Sequence, residues 1–534
     1  MLSKTKFIKQ AAILAIASLL VRLLGFLYRL PLTNMLGDEG NGIYSAGFYL
    51  YNFFLVMSSA GLPAAISKIV SEKIALEEYR NVKKTFKISL ILSSTVGLIF
   101  SIVMFVSARF FCNIIGSPDS YYTILTLSPT VFIVSVMSVF RGYFQGLGTT
   151  IPTALSQVIE QIFNAIFSIY LAYLLVGISL PLGAAGGTMG TGIGALAGLI
   201  YILMVFLNRK RYINRKLSKK THKYRLESNR EIAIKIIKTA APIIAGTAIF
   251  SMTNLIDMQM VNSRLTASKA FTDSQVTALY GQLTGKYVTL TTLPVSISTA
   301  LATAVLPSIA SSMIQKDIKT VRKKIDVSLR LTMIISIPAA IGMGVLADEI
   351  LLLLFPNYSD GGLLLKWGAL SIIFLALCQI ITGILQGIGK VATPAKNAFI
   401  GSIIKIPINY FLISIPSINV IGAIISTTVC YLIASLLNFI TLRKVTKIRP
   451  DYNGIFFKPT IASIVMGVFC YFSYKFIFYF SKSNAISTLV SIFIAIIVYL
   501  VSLAVIGGFK REDLSLLPMG RRLISILEQY RLID

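Results

Sequence analysis

Two arginines stand inside the first long apolar stretch of the chain, Phe7 to Leu32. Arg22 and Arg29 are almost two helical turns apart, so both guanidinium groups lie on one stripe of a helix, roughly 10 Å apart along its axis. A charge held at bilayer depth costs at least about 2.5 kcal/mol, and such a side chain usually faces a water-filled cavity or a partner. Because guanidinium suits phosphate through paired donors, the two arginines predict a cationic cavity that accepts an anion.

The alternative is that both arginines extend to the membrane surfaces. Counted from Lys9 at about 1.5 Å per residue, Arg22 lies roughly two-thirds of the way across the bilayer, whereas Arg29 is close enough to the far surface to reach headgroups. Depth therefore favours a cavity position for Arg22 and leaves both positions open for Arg29.

Two lysines add positive charge at depth in later predicted spans. Lys286 lies about nine residues into the eighth span, and Lys405 lies about eleven residues into the eleventh. Together with the two arginines, they are the predicted substrate-binding residues. If the eighth helix begins later, Lys286 lies at the membrane interface instead.

Two acids within the predicted spans are candidates for ion coupling or for a salt bridge. Glu160 lies in the fifth span, and Asp257 lies towards the outer end of the seventh. Because Glu160 and Lys405 hold nearly equivalent positions in an internal repeat, a salt bridge between them is the simplest account of that pair. On balance the predicted cavity is cationic.

The composition requires elements that cross a membrane. The chain of 534 residues is 55% hydrophobic and 13% charged, which predicts an all-α polytopic membrane protein. Its 50 Lys and Arg against 21 Asp and Glu give a net charge of +29, and the bases lie in short segments beside the spans. This positive-inside pattern indicates membrane lipids, not nucleic acid, as a partner.

Other chemistries are excluded by residue types. His222 is the only histidine, so a histidine-based triad or zinc site cannot form within this chain. The 4 cysteines lie in or beside apolar segments without metal-ligand spacing. We therefore predict no catalytic residue, no metal and no cofactor. The first apolar run is too long for a signal peptide and contains Arg22, so we interpret it as a retained span.

Basic and nearly uncharged connections alternate along the chain, which predicts about fourteen spans with both termini in the cytoplasm. The predicted organisation is an N-terminal lobe at 1–208, a basic cytoplasmic linker at 209–235, a C-terminal lobe at 236–445, and two further spans with a basic tail at 446–534. Glycines in the sixth span have the spacing of close helix packing. A phosphate loop is the alternative, but no strand precedes them.

An internal duplication relates the two lobes. The sequence GYFQGLG at 142–148, followed by Pro152, returns as GILQGIG at 383–389, followed by Pro394. Each of these elements predicts a tight inner turn between two spans. Each half contains an even number of predicted spans, which returns the chain to the side on which that half began. The halves are therefore parallel repeats, as in transporters that enclose a midplane site between rocking lobes.

Several ordered motifs resemble a known family, and the likeness extends over nearly the whole chain. The motifs are VRLLGFLYR at 21–29, GDEGNGIY at 37–44, GLPAAISK at 61–68, RGYFQG at 141–146, SQVIEQ at 156–161 and YGQLTG at 280–285. They resemble the stage V sporulation protein B branch of the multidrug/oligosaccharidyl-lipid/polysaccharide (MOP) exporter superfamily, which also contains the MurJ lipid II flippases.

The resemblance implies a flippase of about fourteen helices that carries an undecaprenyl-pyrophosphate-linked saccharide to the outer leaflet by alternating access. Arg22 matches the first arginine of the MurJ-type first-helix motif, and Arg29 is displaced by one position from the second. Asp257 resembles the seventh-helix acid proposed to sense a coupling cation. Segment 394–415 contains no acid, although MurJ-like sodium sites draw a carboxylate from that helix. Na⁺, H⁺ or the membrane potential is the expected driving force.

The expected protein is a monomer in a bacterial-type plasma membrane, with a role in peptidoglycan or polysaccharide biosynthesis or in sporulation. Two other functions are weighed. A cation-coupled multidrug exporter of the same superfamily needs acids in its cavity, and this chain offers arginines. A membrane enzyme that acts on lipid-linked sugars needs outer-face loops, and the outer connections are short.

Overall fold

The computed structural model describes residues 4–216 and 224–508, which form helices and no β-strand. These residues fall into two compact units, Met1–Gly285 and Lys286–Asp534. The helices of the first unit are α1 (Lys4–Ser59), α2 (Leu62–Ala75), α3 (Tyr79–Val106), α4 (Ala108–Ile115), α5 (Tyr121–Gly146), α6 (Ile151–Val176), α7 (Leu180–Lys216), α8 (Asn229–Ala267) and α9 (Asp273–Gly281).

The helices of the second unit are α10 (Thr289–Ile314), α11 (Ile318–Val345), α12 (Ala347–Leu354), α13 (Gly362–Gly387), α14 (Ala392–Ile413), α15 (Ile421–Thr446), α16 (Lys458–Ser481) and α17 (Asn484–Val505). Two π-helical segments, Gln282–Val288 and Asn453–Phe457, precede α10 and α16. Predicted features in residues 1–3, 217–223 and 509–534 lie outside the described part; these include His222 and the basic C-terminal tail.

Helix α1 is broken at Gly37, whose backbone angles of φ 66° and ψ −173° are accessible essentially only to glycine. Its 56 residues would measure about 84 Å as one helix, well beyond a bilayer. The break therefore separates two limbs, which carry the first and second predicted spans. Asn41 Nδ2 donates to the Gly37 carbonyl (2.7 Å) and to the Thr33 carbonyl (3.3 Å), so a side chain replaces helical hydrogen bonds that are lost there.

Among the described residues, 12 helical segments are long and apolar enough to cross a membrane. One of them, Ile16–Ala75, contains both limbs of α1, and α14 (Ala392–Ile413) is not one of the 12. Counting the two limbs separately and adding α14 gives the predicted number of about fourteen. The chain is an all-helical, multi-pass membrane protein, as predicted.

The duplication is confirmed by the order and spacing of the helices. Helix α11 begins 239 residues after α3 (318 against 79), α12 begins 239 after α4 (347 against 108), and α13 begins 241 after α5 (362 against 121). The same pairs of helices pack together in each unit: α3 with α5, α5 with α7 and α6 with α7 correspond to α11 with α13, α13 with α15 and α14 with α15.

Both predicted tight turns are present, and their location on the inner side of the membrane stays a prediction. Helix α5 ends at Gly146 and α13 ends at Gly387, and each is followed by a left-handed glycine, Gly148 (φ 81°) or Gly389 (φ 90°). In the first turn Gly148 N–H donates to the Gln145 carbonyl (2.9 Å), and the second turn repeats this contact. These hydrogen bonds satisfy the last carbonyls of the helix, and the positive φ favours glycine at this position.

The glycines of the sixth predicted span pack α7 against α6, which confirms the packing interpretation. A Cβ atom at Gly190 would lie 2.3 Å from the Ser168 backbone nitrogen, and one at Gly194 would lie 2.4 Å from the Glu160 carbonyl oxygen. The two backbones therefore approach to a distance that only glycine permits.

We expect Gly194→Ala to lower the thermal stability of the detergent-solubilised protein, with a loss of roughly 1–3 kcal/mol from overpacking that exceeds the small gain in helix propensity. Thermal unfolding followed by size-exclusion chromatography measures this loss. Gly177→Ala is the matched control, since nothing lies within 4 Å of a Cβ at that position. Equal stability of the two variants would contradict the packing role.

The first unit includes α8, which the repeat assigns to the second half. The predicted lobe and linker boundaries at 208, 235 and 445 stay predictions, as does the cytoplasmic location of both termini.

Candidate functional site

Arg29 lies on the first limb of α1 and contacts aromatic residues of the second limb. Its guanidinium carbon is 4.4 Å from the centre of the Tyr44 ring and 6.0 Å from that of Phe48. The two rings are stacked on each other, with centroids 5.8 Å apart. A cation over aromatic faces is held in position without being neutralised. The break at Gly37 therefore lets one helix supply both the charge and its support.

The guanidinium of Arg29 is only partly satisfied. Its Nη1 atom is buried and has no hydrogen-bond partner among the described residues, and no described carboxylate forms an ion pair with this arginine. A buried donor without an acceptor costs about 1–3 kcal/mol, more for a charged group. An anion supplied from outside the described chain would remove this cost.

Arg22 belongs to the same stripe of α1, and its side chain is exposed in this structure. One turn further along, a Cβ at Gly25 would lie 3.5 Å from Gln161 Nε2 of α6, so this stripe approaches α6. On α6, Gln157 Oε1 is buried without a donor among the described residues. The α1–α6 side of the first unit thus presents an exposed guanidinium, a buried cationic donor and a buried acceptor.

Asp257 lies on α8, half-buried, in the same unit. Tyr49 of α1 interacts electrostatically with both Asp257 and Arg29, and Asp257 also interacts with Tyr280. A carboxylate and a guanidinium therefore both lie near Tyr49, which is half-buried.

Glu160 is in a salt bridge, and its partner is Arg141. Arg141 Nη2 is 2.7 Å from Glu160 Oε2, and Arg141 Nε donates to Ser156 Oγ at 2.9 Å. The pair joins the end of α5 to the beginning of α6, and Glu160 is a structural anchor for Arg141. The predicted Glu160–Lys405 pair, which would join the two units, stays a prediction.

Lys286 and Lys405 are buried in the second unit. Lys286 Nζ donates to the Asp360 carbonyl at 2.9 Å. Lys405 lies on the face of α14 that meets α15, between Gly401, which packs on Cys430, and Asn409, which accepts a hydrogen bond from Ser426. Protein groups thus surround both lysines, and their role as substrate ligands stays a prediction.

Sequence reasoning missed the aromatic support of Arg29. A signal was available, since Tyr44 and Phe48 are spaced by one helical turn and Tyr51 follows three residues later, all on one face. The ring contacts of Phe48 with Tyr44 and Tyr51 confirm that face. Such aromatic rows are common in membrane helices, so the spacing alone did not distinguish a cation support from ordinary packing.

Comparison with known proteins adds a second line of information. Residues 7–313 match the family model described as polysaccharide biosynthesis protein, and residues 242–411 match the MatE model. The chain is 27% identical over 524 residues to stage V sporulation protein B of Bacillus subtilis (strain 168), covering 98% of this chain and 100% of that protein. It is 26% identical to lipid II flippase MurJ of the same organism, covering 82% and 83% of the two chains.

One solved structure shows the same fold. Lipid II flippase MurJ in an inward closed conformation superposes with a TM-score of 0.66, at 17% identity, over 92% of this chain and 97% of that one. At this identity the similarity concerns the arrangement of helices. It therefore supports the two-lobed transporter fold that the duplication predicts.

Proposed function

The chain belongs to the polysaccharide biosynthesis protein family of the MOP superfamily, and from this we propose that it is a flippase for an undecaprenyl-pyrophosphate-linked saccharide. The cargo is lipid II or a related polysaccharide precursor, carried from the inner to the outer leaflet. The observation that carries the proposal is the guanidinium of Arg29, which is stacked on Tyr44 and has a buried donor without a partner among the described residues.

A pyrophosphate matches this arginine in charge and in geometry. Each phosphate offers oxygens that accept two parallel N–H bonds from one guanidinium, and a lysine cannot donate in this planar way. Arg22, almost two turns away on the same stripe, provides a second cation for the second phosphate or for its approach. Gln157 Oε1 accepts from a donor such as a sugar hydroxyl.

In the proposed cycle, the apolar prenyl chain stays in the lipid and the polar headgroup stays in the cavity. The prenyl chain stays in the lipid, because transfer of each buried CH₂ group to water costs about 0.8 kcal/mol. The headgroup binds the arginines and crosses as the two lobes alternate in access, as in transporters built from parallel repeats. The positions of α16 and α17 after both repeats make them candidates for the surface that guides the lipid tail.

We propose that Asp257 couples transport to a driving force. Protonation or cation binding at Asp257 would change the field at Tyr49, which Arg29 shares. The affinity of Arg29 for an anion would then depend on the occupancy of Asp257, which is the thermodynamic requirement for coupling. Na⁺, H⁺ and the membrane potential are the three candidates.

Native mass spectrometry of the gently extracted protein tests the substrate class. We expect a mass increase equal to an undecaprenyl-pyrophosphate-linked oligosaccharide, which also identifies the saccharide. A reconstituted assay with lipid II in proteoliposomes then measures its appearance in the opposite leaflet. The absence of both a pyrophosphate-linked lipid adduct and translocation above that of empty liposomes would refute the proposal.

The MatE match at 242–411 supports a second candidate function, a cation-coupled multidrug exporter, because it includes the membrane acid Asp257. This function needs a negative site for cationic drugs, whereas Arg22 and Arg29 repel them. Efflux of a cationic dye from vesicles under an ion gradient distinguishes the two functions. A drug exporter would move the dye, whereas we expect no efflux from the flippase.

A further inference from the structure

A basic pocket lies in the second unit, where α11 begins and α15 ends. Its volume is about 570 Å³, and it is lined by Arg322, Lys323, Asp326, Lys447, Ile448 and Arg449. Four of these six residues are bases with exposed side chains. The pocket belongs to neither the arginine stripe of α1 nor the buried lysines described above.

The backbone around the pocket is well fixed. Helix α15 ends with Lys447 in the left-handed conformation (φ 52°), and the Lys447 N–H donates to the Arg443 carbonyl at 2.9 Å. Arg322 Nε donates to the Thr446 carbonyl at 2.8 Å. The first turn of α11 is thereby tied to the end of α15, and the segment that carries Lys447 and Arg449 is directed over it.

The acid that lines the pocket is bound to an arginine inside the protein. Asp326 Oδ2 accepts from Arg330 Nη1 at 3.0 Å, and its Oδ1 accepts from the Asp451 backbone N–H at 3.1 Å. Arg330 is fully buried, so this carboxylate is committed to a cation inside the protein. Four bases and one acid line the pocket, so its lining carries a net positive formal charge.

The corresponding part of the first unit contains an acid from the linker segment. Lys84 lies 239 residues before Lys323 (84 against 323), and there the linker segment brings in an acid of its own. Glu227 forms a salt bridge with the buried Lys73, lies 3.8 Å from Lys235, and accepts from Lys84 through its carbonyl oxygen. In the second unit, the corresponding segment carries Lys447 and Arg449 ahead of Asp451, whose Oδ1 accepts from the Gly454 N–H.

Exposed aromatic residues follow the pocket-lining segment in the sequence, before the next membrane helix. Tyr452 is 43% exposed and Phe457 is 64% exposed, immediately before α16. Aromatic residues and bases at the end of membrane helices mark the headgroup level of a bilayer. A ligand for this place therefore has an anionic head and an apolar tail.

We propose that this pocket binds the phosphate headgroup of an anionic phospholipid, with the acyl chains beside Tyr452 and Phe457. Basic pockets between membrane helices are known to hold such headgroups. Its phosphate adds negative charge beside Arg322, Lys447 and Arg449, where the start of α11 meets the end of α15. This role is separate from the substrate proposed above.

Native mass spectrometry of the full-length protein in detergent, titrated with phosphatidylglycerol or phosphatidylcholine, tests the site. We expect phosphatidylglycerol to bind with a resolved affinity and Lys447→Gln/Arg449→Gln to weaken it about 25-fold, since each base near an anionic headgroup contributes roughly fivefold. Arg443→Gln/Lys444→Gln is the matched control: it removes the same charge from exposed residues of the last turn of α15 that do not line the pocket.

Each outcome of the titration bears on the proposal. Equal weakening by the two double variants, or equal binding of the two lipids, would overturn it. A parallel arm with inorganic phosphate distinguishes the source of the anion: if phosphate displaces the lipid at comparable concentration, the pocket serves a free anion and the lipid assignment is wrong. Chromatographic elution of every variant as a single folded species is required before affinities are compared.

Discussion

Arg29→Ala is expected to abolish transport of a pyrophosphate-linked lipid and to leave the amount of protein in the membrane unchanged. The substitution removes the guanidinium that Tyr44 and Phe48 hold in place. Truncating one partner of a desolvated charge pair costs about 2–5 kcal/mol, which corresponds to a loss of at least about 30-fold in affinity. Complementation of a strain depleted of its own flippase, together with lipid translocation in proteoliposomes, measures the effect.

Two further variants separate binding geometry from charge. Arg29→Lys keeps the positive charge but not the planar donors, so it should recover only a small part of the activity. Arg109→Ala removes an arginine that also lies over a tyrosine, 5.5 Å from the Tyr121 ring, but on the short helix α4. It should behave as the wild type. Full complementation by Arg29→Ala would remove this residue from the mechanism.

Glu227→Ala is expected to have the largest effect on stability. Lys73 is 1% exposed and depends on the Glu227 carboxylate as its ion-pair partner. Breaking a buried ion pair from one side typically costs about 3–5 kcal/mol, because an uncompensated charge stays in the protein. Lys84 and Lys235 lie beside the same residue and add repulsion when it is removed. Thermal unfolding of the solubilised protein measures the loss.

The controls for this variant follow from the same physics. The double substitution Lys73→Met/Glu227→Leu removes both charges, so most of the stability should return. Glu72→Ala removes an acid from the exposed pair with Lys68, whose atoms are 4.0 Å apart, and should cost less than about 1 kcal/mol. A Glu227→Ala protein as stable as Glu72→Ala would show that Lys73 does not depend on this partner.

Features that follow from chain length and repetition were predictable from the sequence. Apolar runs indicate the membrane helices. The repeated GYFQGLG and GILQGIG elements predict two helix ends, which are confirmed at Gly146 and Gly387. Close packing through Gly190 and Gly194 was predictable for the same reason, because a missing side chain is visible in the sequence itself. These signals need no knowledge of which helices are neighbours.

Specific side-chain partners were harder to predict, since they depend on helix rotation. The Arg141–Glu160 pair is an example: Arg141 lies 5 residues before the end of α5 and Glu160 lies 9 residues after the start of α6. The two positions are not level, so their distances from the turn do not predict the pair. The partner of Lys286 has no signal in the sequence, because the backbone carbonyl of Asp360 accepts the hydrogen bond. Any residue type at 360 would provide the same acceptor.

The break at Gly37 has a mechanical consequence for the arginine-bearing limb of α1. Because the Asn41 amide bonds the carbonyls of Gly37 and Thr33, the chain changes direction at Gly37 without leaving these two carbonyls unpaired. Arg29 lies before the break and Tyr44 lies after it. Any change of the angle at Gly37 would therefore move the guanidinium relative to the ring that supports it.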